Sequence, residues 1–422
     1  MTPGKQSILT LLLLFAVIYT TKAQINPGNS AGQINSINTA VPLFGTSPIN
    51  RGGAVTSINP DNYIGQFNPI TTAVPFLGIS PDARGGSMGD AGVSSEPDAY
   101  SMHYNPAKYA FIKKDMGVGI SYSPWLKGLT NDINLAYLTG FKRIDKNQVV
   151  AMSLRYFNLG DINFTDNNGW SVGNYRPNEF ALDAAYSRFL TANLSMSVAA
   201  RYIHSNLTQG QDVGGQATKP GNSVAADVAL FQRFPVEFDK VSGNFSWGLN
   251  ISNIGMKISY SDDNTRKDFI PTTLKIGPSL TLDLDDYNQM TFMVDFNKLL
   301  VPTNAVKSGD TIISGMDPNV SVPVGMIHSF YDAPGGFKEE MSEINIAAGI
   351  EYWYAQQFAV RGGFFYEDKD KGNRKFFTLG AGFRYNVLGI DFSYLIPLET
   401  KNPLEHTLRF SLLINFDAPS VR

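Results

Sequence analysis

The chain has 422 residues and a formal charge of −3, with 17% charged residues, 12% aromatic residues and 39 glycines. It contains no cysteine, which excludes a disulfide framework and a thiolate metal site. Nucleic-acid binding is not expected, because no basic excess exists to neutralise phosphates. Many glycines and aromatics with few charges favour strands and turns over helices.

The first 23 residues have the pattern of a secretory signal peptide. Lys5 precedes the apolar run ILTLLLLFAVIY, and the small residues Thr21 and Ala23 precede Gln24. A basic start, an apolar stretch of about a dozen residues and a small-residue cleavage site are typical of export signals. We therefore expect cleavage after Ala23. No later segment is apolar for long enough to predict a membrane-spanning helix.

Residues 24–70 are rich in Asn, Pro, Gly and Ser and show no apolar period, which predicts a flexible periplasmic N-terminal extension. This extension holds a near copy of a downstream stretch. Laying residues 39–54 on residues 72–87 matches ten of sixteen positions. The copy is either a local duplication in a tether or a segment that competes with its downstream counterpart. Deleting residues 25–60 would distinguish the two.

From residue 116 to residue 417, apolar residues alternate with small or charged ones, and the pattern predicts about fourteen strands. We assign the apolar face, for example Val118, Ile120 and Tyr122, to the outside. For the second strand we assign the face of Leu135 and Tyr137 to the outside. A soluble sandwich would carry Lys, Glu and Thr on its solvent face, whereas this opposite face is rich in Gly, Ser and Ala. The sequence therefore predicts an all-β fold, a transmembrane antiparallel β-barrel.

Connections between the predicted strands alternate in length. Long connections at 158–178, 207–221 and 298–342 alternate with mostly tight ones, such as 191–193. Outer-membrane barrels have short periplasmic turns and longer outside loops. We therefore expect an outer-membrane protein with both chain ends in the periplasm.

Charged residues on the inward face are placed to pair across hairpins. Hairpin symmetry predicts three lumen ion pairs, which are Asp183 with Arg201, Glu351 with Arg361, and Arg384 with Asp391. They would form either an ion path or a neutralised wall packed against a plug, since unpaired charges in a narrow lumen are costly. A break in the alternation at Ser252–Gly255 predicts a β-bulge, which would re-aim the strand or mark a lateral opening.

Catalytic chemistry is not expected. The sequence contains no nucleophile elbow, phosphate loop or zinc-binding HEXXH motif, and its four histidines are scattered. Asp262-Asp263 and Asp285-Asp286 are typical of solvated turns rather than of paired catalysts. We therefore predict no enzyme activity, no catalytic residue, no metal and no cofactor.

The stretch AVPFLGISPDARGGSMGDAGVSSEPDAYSMHYNPAKYAFI, residues 73–112, followed by a barrel of about fourteen strands, resembles the PorV family of the Bacteroidetes type IX secretion system. That family is similar to the wider FadL-like group of barrels, whose N-terminal segment folds into the lumen as a hatch. The resemblance implies that residues 71–115 form such a hatch or plug. The residues that carry its motif are Arg84, Gly85, Gly86, Met88, Gly89, Asp90, Gly92, Asn105 and Pro106.

The resemblance also implies a function and partners. Members would receive secreted cargo, through its C-terminal signal domain, from the large translocon barrel and present it to a sortase-like attachment complex. Outer-membrane lipid would surround the barrel.

The longest connection, 298–342, is the expected contact surface for cargo or translocon, because it exposes Ile327, Phe330, Tyr331 and Phe337. The alternatives are a FadL-type transporter of hydrophobic compounds, and a structural barrel that carries neither ligand nor cargo.

Overall fold

The computed structural model describes most of the chain downstream of residue 66. The described ranges are 67–128, 130–165, 170–211, 217–238, 241–261, 267–399 and 402–416. The predicted signal peptide and the upstream motif copy lie outside the described residues.

Fourteen antiparallel strands close into one barrel, as the alternation predicted. The first strand pairs with the last, from Met116 opposite Phe416 to Tyr122 opposite Phe410. The barrel strands are β1 (Met116–Pro124), β2 (Asn134–Arg143), β3 (Gln148–Asn158), β6 (Asn178–Phe189), β7 (Leu194–Asn206), β8 (Gly221–Phe238), β9 (Val241–Gly255), β10 (Thr273–Asp283), β11 (Asn288–Leu299), β14 (Ile344–Tyr354), β15 (Phe358–Tyr366), β16 (Lys375–Tyr385), β17 (Leu388–Pro397) and β18 (Leu408–Phe416).

The outward faces follow the predicted pattern in thirteen of the fourteen strands. In β1, for example, Ile120 and Tyr122 are about half exposed while Ser121 between them is buried. The assignment for β2 was wrong. Leu135 and Tyr137 are buried and point inward, and Leu138 lies on the outside. The reason is that the lumen of this barrel is filled, so an apolar face can be buried on the inner side as well.

The two ends of the barrel differ. At one end, here called the turn end, strands are joined by the short connections 144–147, 190–193, 239–240, 284–287, 355–357 and 386–387. At the other, the loop end, the connections are 125–133, 159–177, 207–220, 256–272, 300–343, 367–374 and 398–407.

The segment before β1, residues 67–115, is called the hatch below, and most of it lies inside the barrel. It contains a 3₁₀ helix at Pro75–Gly78, helix α1 (Ala83–Gly86), helix α2 (Ser101–Tyr104) and a 3₁₀ helix at Pro106–Phe111. Between Val74 and Ile112 nearly every residue is buried.

The loop end carries further short elements. They are the ribbons β4 (Ile162–Thr165) with β5 (Ser171–Tyr175) and β12 (Val306–Ser308) with β13 (Thr311–Ser314), and the helices α3 (Val322–His328) and α4 (Phe337–Ser342). Among the residues described, none of the helices has the length and apolar character needed to span a membrane.

The hatch crosses the lumen from the loop end to the turn end. Asn68 donates its backbone N–H to Asp370 in the loop after β15. At the other extreme, the Phe111 ring packs on Phe189 at the turn end of β6, with ring centres 4.6 Å apart. We expected the extension 24–70 on the periplasmic side of short turns. Its described residues, 67–70, lie among the loops at the opposite end from Phe416, because a hatch that crosses the lumen must begin and end at different ends.

Inward glycines of the wall allow the hatch backbone to approach closely. A Cβ built on Gly363 of β15 would lie 2.0 Å from the backbone nitrogen of Gly89, and one on Gly248 of β9 would lie 2.2 Å from the Val93 carbonyl oxygen. Atoms cannot approach that closely, so these wall positions admit only glycine without movement of the hatch. On the hatch side, Gly89 has a φ of 68°, which glycine adopts at no steric cost.

Two adjacent glycines of β15 give a matched test of this packing. Gly363→Ala should destabilise the folded barrel by about 1–3 kcal/mol, since overpacking forces the hatch away from the wall. Gly362→Ala should leave stability unchanged, because its Cβ would meet only an ordinary 3.6 Å contact with Ile350. Thermal unfolding of the two purified variants measures the difference, and equal melting temperatures would contradict close hatch packing at Gly363.

Candidate functional site

The hatch motif is organised around α1. Asp82 caps this helix by accepting a hydrogen bond from the Gly85 N–H at 2.9 Å, and Tyr104 donates to the same carboxylate at 2.9 Å. The Tyr104 side chain lies against Gly85 and Gly92. A Cβ at Gly85 would meet its hydroxyl oxygen at 2.0 Å, and a Cβ at Gly92 would meet its ring at 2.6 Å. The spacing of these glycines is therefore set by one aromatic side chain.

Met88 and Asp90 fix the next part of the motif to the wall. Met88 is buried in an apolar cluster with Phe365 and Phe376. The Asp90 carboxylate lies 3.3 Å from the guanidinium of Arg409 on β18. Arg409 also donates to the Gly86 carbonyl at 3.2 Å. One side chain of the last strand thus holds both ends of this turn.

Asn105 and Pro106 start the second 3₁₀ helix and dock it on the wall. The Asn105 side-chain oxygen accepts from the Ala107 N–H at 2.9 Å, and its amide donates to the carbonyls of Val93 at 3.0 Å and Leu230 at 2.8 Å. The Pro106 carbonyl accepts from Ser187 at 2.5 Å. Asn105 is therefore at once a helix cap, a hatch cross-link and a contact to β8.

A chain of buried ion pairs connects the hatch to the three wall strands β14, β15 and β17. Arg84 binds Glu351 of β14 with two hydrogen bonds, of 3.0 and 2.7 Å. Arg361 of β15 donates to the same carboxylate at 2.5 Å and to Asp391 of β17 at 2.8 Å. Arg84 also pairs with Asp98 of the hatch at 2.9 Å. Glu351 and Arg361 lie directly opposite each other in the ladder. Desolvated charges of this kind are held in place by several mutual partners.

Arg384 and Asp391 are not opposite each other, which corrects the register that we inferred. Asp391 lies opposite Gly382, and Arg384 lies opposite Gly389. The turn is centred one residue earlier than expected because Asn386 adopts a left-handed conformation, with a φ of 54°. The ion pair still forms on the diagonal, with the Arg384 guanidinium 2.6 Å from the Asp391 carboxylate.

A second ion cluster lies on the far wall. Arg201 binds Asp183, directly opposite it in the ladder, at 2.5 Å, and Asp227 of β8 at 3.1 Å. The predicted bulge is present beside this cluster, where the β8–β9 register shifts between Ala226 and Val228. Asn253 in the bulge has a φ of 60° and donates its N–H to Asp227 at 2.7 Å. β8 and β9 pair on both sides of the bulge, so the wall stays closed there and the bulge turns the Asn253 side chain toward the lumen.

Glu351→Gln tests how strongly the ion chain holds the hatch. The amide keeps the shape but removes the counter-charge that two buried guanidinium groups share, and leaves Arg84 with Asp98 alone and Arg361 with Asp391 alone. The free energy of unfolding should therefore fall, by at most about 3–5 kcal/mol. The matched control is Arg176→Gln, which breaks an exposed pair with Asp161 and should leave stability unchanged. Denaturant unfolding of both variants checks this, and equal stabilities would show that the chain contributes nothing.

The predicted contact residues lie together on the long loop 300–343, at the loop end. Ile327, Phe330 and Tyr331 belong to α3 and the turn after it, and Phe337 begins α4. Their exposed fractions are 63%, 52%, 53% and 77%, in that order. These four side chains are called the aromatic surface below. Large apolar side chains exposed in one short segment are typical of a protein contact site.

A buried ion cluster beneath the aromatic surface fixes this loop. Lys298 of β11 pairs with Glu340 at 3.0 Å and with Glu343 at 2.6 Å. Lys371, from the loop after β15, pairs with Glu339 at 2.5 Å and with Glu343 at 2.9 Å. The cluster therefore ties α4 to a barrel strand and to a neighbouring loop, so the aromatic surface rests on a fixed base.

The buried groups of this loop include more carboxylates than lysines. Burial raises the pKa of two of the carboxyl groups. Burial raises the pKa of Asp332 to about 6, although the Thr303 N–H donates to it. Burial also raises the pKa of Glu340. One Asp332 oxygen is buried without a hydrogen-bond partner among the described atoms. The neutral form of Asp332 is thus favoured relative to an exposed carboxyl.

The loop should consequently be more stable in mild acid. Because the folded pKa of Asp332 lies above the unfolded value of about 4, its stabilising contribution is complete below that value and is lost as pH rises through about 6. Hydrogen exchange across residues 300–343, corrected for intrinsic rates, should show more protection at pH 5 than at pH 7.5. Asp332→Asn should reduce the difference to the part that Glu340 contributes, whereas Asp317→Asn, at an exposed carboxylate of the same loop, should preserve it.

Sequence reasoning missed this cluster. In the sequence, Lys298 lies at the start of the connection 298–342, and Lys371 and the acids from 332 to 343 lie in loops without an apolar period. The only available signal was the density of acids in "DAPGGFKEEMSE". Among the residues described, no group of three or more acidic, histidine or cysteine side chains has a metal-binding arrangement.

Comparison with known families finds one match. The family model described as type IX secretion system protein PorV matches residues 61–306, which is more than half of the chain. No curated protein sequence matches.

Solved barrels to which this chain is similar include two toluene transporters and a FadL homologue. The toluene transporter TbuX of Ralstonia pickettii is 13% identical, with 80% of this chain and 98% of that chain covered and a TM-score of 0.45. The toluene transporter TodX of Pseudomonas putida is 11% identical, with 83% and 98% covered and a TM-score of 0.45. A FadL homologue of Pseudomonas aeruginosa is 13% identical, with 83% and 99% covered and a TM-score of 0.40.

Proposed function

Because the chain belongs to the PorV family of type IX secretion system proteins, we propose that this secretion-related outer-membrane barrel acts as a cargo shuttle. It receives secreted proteins by their C-terminal domains at the translocon barrel and presents them to a sortase-like attachment complex. The loop end then faces the cell surface and the turn end faces the periplasm, because short turns are periplasmic in outer-membrane barrels.

The observation that carries the proposal is the aromatic surface on its buried ion cluster. A binding site for a protein partner gains affinity when its anchors are aromatic and already held in place. Phe337 and the buried Glu339 share α4, so an exposed anchor and its internal fixation are two residues apart. A mobile loop of this length would have to be ordered at the expense of binding free energy.

The filled lumen supports a role on the outer surface rather than passage through the barrel. Hatch residues bind the wall by the bidentate Arg84–Glu351 pair and by the Asn105 contact to the Leu230 carbonyl of β8. Transport of a hydrophobic compound would require these contacts to break. A bulge was the only sequence feature that favoured a transporter, and its Asn253 is fixed by Asp227. We propose further that the protein has no catalytic activity.

Loss of the aromatic surface should abolish partner binding without loss of the fold. The double variant Ile327→Ser with Phe337→Ser should retain wild-type thermal stability, because both side chains are exposed. Tagged protein purified gently from the native outer membrane should then lose the secreted proteins that share a C-terminal β-domain, as identified by mass spectrometry.

The matched control is Met256→Ser, which removes a side chain of similar exposure, 59%, from a different loop at the same end. It should co-purify the same proteins as wild type. Undiminished cargo recovery with the double variant would refute the aromatic surface as the contact site. A wild-type barrel that carries only a bound apolar molecule would support the transporter instead.

A further inference from the structure

The outer wall of the barrel carries a groove at the turn end of β6 and β7. Its volume is about 390 Å³, and it is lined by Tyr186 and Arg188 of β6 and by Met196 and Val198 of β7. Tyr186 lies opposite Val198 in the ladder, and Arg188 lies opposite Met196. The groove therefore follows two successive rows of outward side chains, and Leu190 of the next turn also lines it.

The groove lies where the apolar band of the outer wall ends. Along β6 toward the turn, the outward residues Leu182, Ala184 and Tyr186 are uncharged, and Arg188 is the first charged one. Outer-membrane barrels have an apolar band flanked by aromatic residues at the membrane interfaces. Tyr186 has such a position, and its hydroxyl donates to Gln148 of β3 at 2.6 Å. The Arg188 guanidinium is thus placed at the level of lipid headgroups.

A second outward base lies close to the groove. Lys142 of β2 is exposed on the outer face, in the same row as Tyr186, because Val150 of β3 lies opposite both residues. Neighbouring strands are about 4.8 Å apart, so the backbones of Lys142 and Tyr186 are separated by about 10 Å. The long side chains of Lys142 and Arg188 can therefore reach one phosphate group from two sides.

The charges of Arg188 and Lys142 are not neutralised within the described parts of the chain, where neither side chain has a hydrogen bond or an ion pair. Asp145, a carboxylate in the adjacent turn, accepts from the Gln148 amide at 2.7 Å. The connection 284–287 at the same end of the barrel has two aspartates and no base. Positive charge is thus a property of this sector and not of the whole rim.

We infer that the groove is a binding site for one anionic phospholipid. An acyl chain lies against Tyr186, Met196 and Val198, and the phosphate is bound by Arg188 and Lys142. Arginine binds phosphate with two parallel hydrogen bonds, and basic pockets on membrane proteins favour anionic headgroups. The apolar walls favour a lipid over a free anion. The inference rests on a barrel that spans a membrane, and it does not depend on cargo or on which end faces the cell surface.

Native mass spectrometry of the purified barrel in a mild detergent tests this site. The barrel is titrated with phosphatidylglycerol and, separately, with phosphatidylcholine of the same acyl chains. We expect one phosphatidylglycerol to be retained per barrel, at a concentration at least about tenfold lower than phosphatidylcholine requires, because the choline cation opposes the two bases. Equal retention of the two lipids would overturn the inference.

Two pairs of variants separate the charge from the groove. Arg188→Gln should weaken phosphatidylglycerol retention by at least about tenfold, because a charge-assisted contact is lost. Lys338→Gln, at an exposed lysine of the loop end, should leave retention unchanged. Val198→Trp fills the groove and should prevent retention, whereas Val360→Trp, at an outward valine of β15, should not. All four positions are exposed, so each variant should keep wild-type thermal unfolding.

Other occupants of the groove predict different results, and each of these would refute the lipid site. Displacement of phosphatidylglycerol by an equal concentration of inorganic phosphate would identify a site for free anions. If Val198→Trp retains the lipid but loses a protein that co-purifies from the native membrane, the groove is a protein contact. Undiminished retention by a correctly folded Arg188→Gln would show that the lipid binds elsewhere.

Discussion

The lumen of this closed fourteen-strand barrel is filled by its own chain, and this constraint shapes the rest of the structure. Strand geometry sends every second side chain inward, where polar groups need partners and voids are costly. Here the filling is a hatch whose backbone lies against wall glycines and whose charges continue the ion chain of the wall. Arg84 exemplifies this dependence, since it neutralises Glu351, which is also the counter-ion of the wall's own Arg361.

The filled lumen also explains which features of the fold could be predicted from the sequence and which could not. A period of two is a local property, so strand number, most outward faces and the Asp183–Arg201 register followed from the sequence. The register at Arg384 did not, because it depends on the left-handed conformation of Asn386. The inward face of β2 could not be predicted from the sequence either. Tyr137 of β2 packs on Tyr100 of the hatch, with ring centres 6.3 Å apart, and the hatch has no apolar period that would predict where it lies.

The candidate site divides in a similar way. The exposure of aromatic side chains in a long loop can be predicted from the sequence, because a long loop without an apolar period forms no core of its own in which they could be buried. The ion cluster that holds the loop is not visible. It joins Lys298 at the end of a strand, Lys371 in another loop and Glu343 before β14, and only the closed barrel places those three together. The contacts that hold a loop in place thus depend on the tertiary structure, whereas the residue types that the loop exposes can be read from the sequence.

Closure of the barrel involves the hatch as well. β1 and β18 are neighbours that lie about 290 residues apart, so bringing them together is the most costly loop closure in the fold. The Tyr100 hydroxyl of the hatch hydrogen-bonds the carbonyls of Ile120 and Leu412, at 3.0 and 2.8 Å, and these two residues face each other across that seam. The hatch is continuous with β1, so its contact with Leu412 ties the first strand to the last. The same segment that fills the lumen therefore also stabilises the pairing of β1 with β18.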